Sequence, residues 1–242
     1  MGEQCNKGLV ATGVILGFSL IAAAALASYA FYAVKSFDNT LSVTGSAKQK
    51  ITSDAVKWTA FFERNVPIDD LKGGYDNMKA DEAKVTAFLK ERGIADEAVT
   101  ISPVQLDEPY KWNQNMPKEY SLRQTVGISG TEVAKVTALA KDLKTLIDAG
   151  VIFSTQSLEY YYTKLPELRV ALLSEAVKDA RLRAERIASS NGQVVGTLRS
   201  ASMGVVQVMQ VNSTDVSDYG TYDTSGIDKE VMITVRTAFT LK

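Results

Sequence analysis

Histidine is absent from this 242-residue chain, which removes the commonest general base and the commonest ligand for transition metals. Cysteine occurs once, at Cys5, ahead of a long apolar run, so the rest of the chain carries no thiol. Thiol catalysis and the usual zinc sites are thereby excluded from it, and a thiol-free domain fits an oxidising compartment. An excess of either charge is also missing. With 27 Lys and Arg against 28 Asp and Glu, the net charge is −1 and there is no electrostatic footprint for DNA or RNA. No G-x-S-x-G, S-x-x-K, P-loop or dinucleotide fingerprint is present. These absences point to a protein that is not an enzyme, uses no cofactor and binds no nucleic acid.

What is present first is a run of 27 residues, 8–34, with no charged side chain, flanked by Lys7 and Lys35. As a helix at ~1.5 Å per residue it is about 40 Å long, enough to cross a bilayer core with some tilt. Ala25-Leu26-Ala27 has the small-x-small form of a signal-peptidase site. The apolar stretch continues past it through Tyr29, Phe31 and Tyr32, which suit an interfacial aromatic belt, so a retained anchor over residues 1–36 is favoured over a cleaved leader. Gly13 and Gly17 form G-x-x-x-G, and Ala24 and Ser28 continue a small-residue stripe along which membrane helices can pack. The default topology for such a segment puts the N-terminus inside and the domain outside.

Residues 37–242 contain no Pro/Gly/Ser-rich linker and read as one α+β domain. Strands are expected over 41–48 and 51–64, with Val56, Trp58, Ala60 and Phe62 on one face. A helix over 68–92 carries Leu71, Tyr75, Met78, Val85, Phe88 and Leu89 and stops at Gly93. Strands over 99–106 and 119–129 flank a protruding loop, 107–118, between Pro109 and Pro117. A second helix, with Thr131 as N-cap, ends at Gly150 and is followed by a strand over 151–162. The third and longest helix opens at Pro166 and closes at Asn191-Gly192, with Leu172, Ala176, Ala180, Ala184, Ile187 and Ala188 facing inward. One or two strands over 193–211, an acidic loop over 212–228 and a final strand complete the chain. In that strand Val231, Ile233, Val235, Thr237, Phe239 and Leu241 share a face. This order predicts antiparallel sheets with three helices packed on one side.

Three clusters invite a functional reading. Asp215, Asp218, Asp223 and Asp228 could gather around Ca²⁺, but their spacing is not that of an EF-hand, and a solvated loop is the expectation. Arg181, Arg183 and Arg186 lie on the third helix among Asp179 and Glu185, a pattern of solvated or intersubunit charge rather than an anion site. Tyr110 and Trp112, with Tyr160 and Tyr162, are aromatic candidates for a protein interface, and Tyr161, of opposite parity, is the candidate for the core.

Two stretches resemble the SIMPL-domain family of bacterial envelope proteins. LSVTGSAKQKITSDAVKWTAFFER matches the opening strand pair, with its V-x-G turn and an Asp before the long second strand. EAVKDARLRAERIASSNGQVVGTLRSAS is similar to the family's A-x-x-D-A-R-x-R-A-E-x-x-A helix, glycine stop and following strand. Ser53 departs from the pattern, where members often have proline. The resemblance spans about 41–242 and implies a periplasmic, oxidative-stress-linked domain that self-associates into rings or channel-like oligomers, with no catalytic residue to carry over. The expectation is a single-pass protein of the bacterial inner membrane whose exported domain forms a homo-oligomer in envelope organisation or stress defence. Its partners would be other copies of itself and the lipid bilayer. The alternative is a tethered periplasmic module that captures an envelope protein or small ligand through the 107–118 or 212–228 loop.

Overall fold

A computed structural model describes residues 2–36, 39–108 and 119–242. The chain runs α1 (Gly2–Ser36), β1 (Thr40–Thr52), β2 (Ala55–Pro67), α2 (Leu71–Glu91), β3 (Val99–Ile101), β4 (Gln105–Asp107) and β5 (Glu119–Gly130). It continues through α3 (Val133–Lys141), α4 (Lys144–Asp148), β6 (Phe153–Tyr161), α5 (Leu165–Ser190), β7 (Val195–Met203), β8 (Gln207–Gln210), β9 (Thr221–Tyr222) and β10 (Asp228–Leu241). The fold is α+β with mostly antiparallel pairing, as expected. Two compact units emerge: residues 1–47, 173–204 and 233–242 form the first, and residues 48–172 and 205–232 the second.

In the second unit the strand order is β3-β5-β2-β6, with β4 also on β5. Period-two alternation places Val56, Trp58, Ala60 and Phe62 of β2 and Leu122, Gln124, Val126 and Ile128 of β5 on the same buried face. Helix α2 covers that face with Met78, Val85, Phe88 and Leu89, the spacing of one helical side. Trp58 meets Phe153 edge-on at 5.9 Å between centroids, and its indole N–H donates to Thr155 Oγ1 at 3.1 Å. One member of the buried helix face is charged: Asp81, paired by the Arg64 guanidinium and by Lys84 at 3.4 Å. Both cations reach on to the carbonyls of Gly150 and Ala149, at 3.3 and 3.0 Å, so no formal charge in the cluster lacks a partner.

In the first unit β10 lies between β1 and β7, and α5 packs on the sheet through Ala184 and Ala188 against Val43, Val195 and Phe239. The three expected helix stops all hold. Gly93, Gly150 and Gly192 have φ of +71°, +77° and +68°, a region closed to most L-residues, and each ends a helical segment.

Several expectations are corrected. The V-x-G of 43–45 is inside β1 rather than at a turn, and the turn falls at Ser53-Asp54. The expected strand over 99–106 is two short ones, β3 and β4. The second helix is broken into α3 and α4 at Asp142, whose backbone leaves the helical region and whose carboxylate lies 3.4 Å from Arg92. Its N-cap is Glu132, without a side-chain capping bond, not Thr131. Tyr75 and Ile187, expected on buried faces, are 42% and 46% exposed.

Candidate functional site

The motif residues meet in the first unit. Gly45, in mid-β1, lies so close to α5 that an added Cβ would come under 3.0 Å from the Ala176 carbonyl oxygen, the Ala180 nitrogen and the Ala180 Cβ. Strand and helix backbones are therefore in direct contact, which only glycine and alanine at these positions permit. One residue on, the Ser46 N–H donates to Asp179 Oδ2 at 2.8 Å. Arg183 pairs with Asp179 at 2.9 Å from the next turn of α5. The D-A-R-x-R-A segment is thus a docking device: Ala180 allows the approach, Asp179 fixes the register, and Arg183 orients Asp179.

That arrangement has a measurable signature. The Ser46 N–H and then the Arg183 guanidinium hold the Asp179 carboxyl below its ordinary value, against the opposing effect of burial. A carboxyl depressed by folding contributes stability at pH above the ordinary carboxylate range and loses it as pH falls through the folded value. The gap in melting temperature between the wild-type protein and Asp179→Asn is therefore expected to be widest near neutrality and to close below about pH 4. A gap that does not change with pH would remove Asp179 from this role.

The second motif aspartate is also engaged. Asp54 accepts from the Thr163 N–H at 2.7 Å and the Thr163 hydroxyl at 2.8 Å. Burial would raise its pKa, but these donors, with its own N–H and the charge of Lys164, hold it below the ordinary value. Beside it, the Ser53 N–H donates to the Ile227 carbonyl at 2.9 Å, a bond that proline at this position could not make.

The clusters singled out in the sequence separate. Arg181 pairs with Glu185 at 2.9 Å along α5, and Arg183 with Asp179, so these two arginines satisfy their own helix's acids, while Arg186 is exposed. In the acidic loop, Asp228 accepts from the Thr52 hydroxyl at 2.8 Å. Asp223 turns inward to accept from the Ser225 hydroxyl at 2.7 Å and the Ser225 and Gly226 N–H groups at 3.2 Å each. Among the described residues no three His, Cys, Asp or Glu side chains come together.

Of the three consecutive tyrosines, Tyr160 rather than Tyr161 is the core residue. Tyr160 is buried, with its hydroxyl 3.0 Å from Thr137 Oγ1, so it serves the core rather than an interface. Tyr161 is half-buried, donates to Glu159 at 2.8 Å and lies 5.9 Å from the Tyr222 ring. Tyr162 is half-buried, and its N–H donates to the Tyr222 oxygen at 2.9 Å. Tyr110, Trp112 and most of the 107–118 loop lie outside the described residues.

Sequence reasoning missed Lys229, which is fully buried at the start of β10. Its ammonium donates to the carbonyls of Asp223 and Gly226 at 2.5 and 2.6 Å, with Asp223 Oδ2 at 3.5 Å. Burial lowers its pKa, partly offset by Asp223. The signal was present: the alternation of Val231, Ile233 and Val235, carried back one step, puts Lys229 on the core face.

Among the described residues the second unit holds three cavities, one of them, of about 320 Å³, lined by Lys50, Ile51, Thr52, Val211 and Asp228. Another, of about 240 Å³, is lined by Leu89, Ile94, Val99 and Ile101 with Lys90 and Asp96 at its edge. The third, of about 410 Å³, is lined by Gln210, Ser213, Asp215, Thr221, Tyr222 and Asp223.

On α1, the stretch Thr12–Ala33 is long and apolar enough to cross a membrane, and none of it is buried in the fold. Gly13, Gly17, Ala24 and Ser28 are all exposed on it, and an added Cβ at either glycine meets nothing within 4 Å.

The family SIMPL, described as "Protein of unknown function (DUF541)", matches residues 41–238. No curated protein matches the chain.

Proposed function

The chain belongs to the SIMPL family, and from that premise we propose that it is a non-catalytic, single-pass membrane protein whose exported domain assembles with copies of itself. Residues 1–36 are the retained anchor, and the assembly serves the organisation or stress defence of the bacterial envelope from the outer side of the inner membrane. The observation that carries self-assembly is β7. This nine-residue strand pairs with β10, and every side chain from Thr197 to Met203 is exposed. In the sheet its strand partner is β10, on one edge, and the far edge of a terminal strand presents backbone donors and acceptors to a chain that can extend the sheet. The anchor adds to this, because copies confined to one bilayer meet at high effective concentration and Gly13 and Gly17 permit close helix approach.

The non-catalytic reading is supported by how the motif residues are used: Gly45, Asp54, Asp179 and Arg183 all serve packing and hydrogen bonding inside the domain. The test is the particle mass of the detergent-solubilised full-length protein by light scattering, alongside residues 37–242 alone. A multiple of the chain mass of 26.3 kDa is expected for the full-length protein. A monomer with and without residues 1–36 would sink self-assembly.

A further inference from the structure

Four segments of the first unit finish side by side where the chain arrives from the anchor. Strand β1 begins at Thr40, and the Leu241 N–H at the end of β10 donates to the Asn39 carbonyl at 3.0 Å. Val194, just before β7, exchanges both backbone bonds with Lys242, at 2.9 and 2.8 Å. Helix α5 closes at Ser190, and the left-handed Gly192 leads directly to Val194. Phe239, Val43, Val195, Ala184 and Ala188 form the core beneath this end.

From Ser36, the last residue of α1, to Thr40 there are four Cα–Cα steps, so whatever path the chain takes it spans at most about 14 Å. The headgroup layer on each side of a bilayer core is itself roughly 5–8 Å deep. If α1 spans the membrane, this end of the unit therefore cannot stand clear of the lipid surface by more than about a Debye length.

The surface there has the composition of a membrane-facing edge. Val194 is 66% exposed and Ile187 46%, two branched apolar side chains left uncovered by the described residues. Around them lie Ser189, Ser190 and Asn191, polar but uncharged and exposed. Two basic side chains at this end, Arg186 and Lys242, are exposed, and no Asp or Glu occurs in 39–44, 186–195 or 239–242, while Lys35 and Asp38 of the linking stretch offset each other in charge. Glu185, the nearest acid on α5, is held by Arg181 one turn back. Exposed apolar residues with basic neighbours, Arg186 next to Ile187 in sequence and Lys242 bonded through its backbone to Val194, fit the boundary between acyl chains and lipid phosphates. A contact too weak to bind the domain from solution suffices here, because the tether makes it intramolecular.

We propose that the anchor-proximal end of the first unit rests on the bilayer. Val194 and Ile187 enter the headgroup layer, and Arg186 and Lys242 face lipid phosphate. The proposal rests on the reading of α1 as a retained anchor. A chain that carries one thiol is convenient for testing it, since Cys5→Ser leaves a background free of cysteine.

In that background, single nitroxide labels at Val194→Cys, Ile187→Cys, Ser174→Cys and Ala22→Cys are placed in the full-length chain in lipid nanodiscs. Collision rates with oxygen and with a water-soluble nickel chelate are then compared. Ser174 is the internal aqueous reference: it is exposed, off the β7 edge, and lies about 20 Å along α5 from Ile187. The expected result is an oxygen-to-nickel ratio several-fold higher at 194 and 187 than at 174, with the Ala22 label fully in lipid. Labels at 194 and 187 as open to nickel as that at 174, with Ala22 in lipid, would overturn this proposal and leave the anchor standing. Shielding of 194 and 187 from both reagents would mean a protein contact such as a second copy, and would also overturn it. An Ala22 label open to nickel would overturn both readings. If labelling at 194 disturbs the pairing with Lys242, position 187, on α5, gives the answer independently.

Discussion

Gly45→Ala is expected to destabilise the protein by on the order of 3–5 kcal/mol, enough to unfold the first unit in most molecules at moderate denaturant. A methyl group at this position lands on the Ala176 carbonyl oxygen and the Ala180 nitrogen as well as on the Ala180 methyl. Two of the three obstacles are backbone, so α5 must move away from β1. Such a movement separates Ser46 from Asp179 and opens the contacts of Ala184 and Ala188 with Val43 and Phe239. The helix cannot yield locally, because it lacks long side chains on this face that could change rotamer. Chemical denaturation followed by circular dichroism measures the effect, with Gly130→Ala as control. Gly130 also lies in a strand, but an added Cβ there meets nothing within 4 Å, and a change within about 0.5 kcal/mol is expected. Ala180→Gly combined with Gly45→Ala should rescue little, since it removes only the methyl. A Gly45→Ala protein as stable as the wild type would show that α5 and β1 are not in backbone contact.

The alternating strands were legible because burial on one face forces period two: β2, β5 and β10 lie where Val56 to Phe62, Leu122 to Ile128 and Val231 to Phe239 place them. The helix stops were legible because a left-handed residue is nearly always glycine. What periodicity cannot reveal is pairing at a distance. Gly45 read as a turn because glycine in a strand usually marks a bend, whereas its cause is a helix 131 positions further along the chain, at Ala176. The motif was legible as a motif, but its purpose required seeing Asp179 accept from Ser46. Three consecutive tyrosines carry no internal sign of which face is covered, so alternation alone does not tell Tyr160 from Tyr161; Thr137 decides it by supplying a hydroxyl partner to Tyr160. A charged residue on a core face runs against the pattern itself, so hydrophobicity at the position itself gives no sign of buried Asp81 or Lys229. Each becomes tolerable only through partners from elsewhere in the fold.

Lys229 gives the second large effect. The expectation is a loss of about 3–5 kcal/mol for Lys229→Ala, which leaves two buried carbonyls without a donor, a cavity, and Asp223 without its cation. Lys229→Met keeps most of the volume but not the hydrogen bonds, and should cost less, about 2–3 kcal/mol. The loss should be felt in the loop before it is felt in the sheet. The Asp223 and Gly226 carbonyls that the ammonium holds belong to a segment that also bonds β8 through the Asp223 N–H and β6 through the Thr224 carbonyl, at 2.8 Å each. Hydrogen exchange of the Asp223 and Tyr160 amides is therefore expected to quicken in Lys229→Met while that of β2 and β5 stays slow. A pH signature separates this role from simple packing. Burial makes the folded amine hold its proton less tightly than the ordinary value of 10.5, so the unfolded chain binds more protons in the interval between the two values. Stability from this group therefore rises as pH climbs through that interval, and the rise should be missing from Lys229→Met. If both variants lose the same stability at every pH and the loop amides keep their protection, the ammonium is not what secures the 223–226 loop, and the carbonyls it faces are satisfied without it.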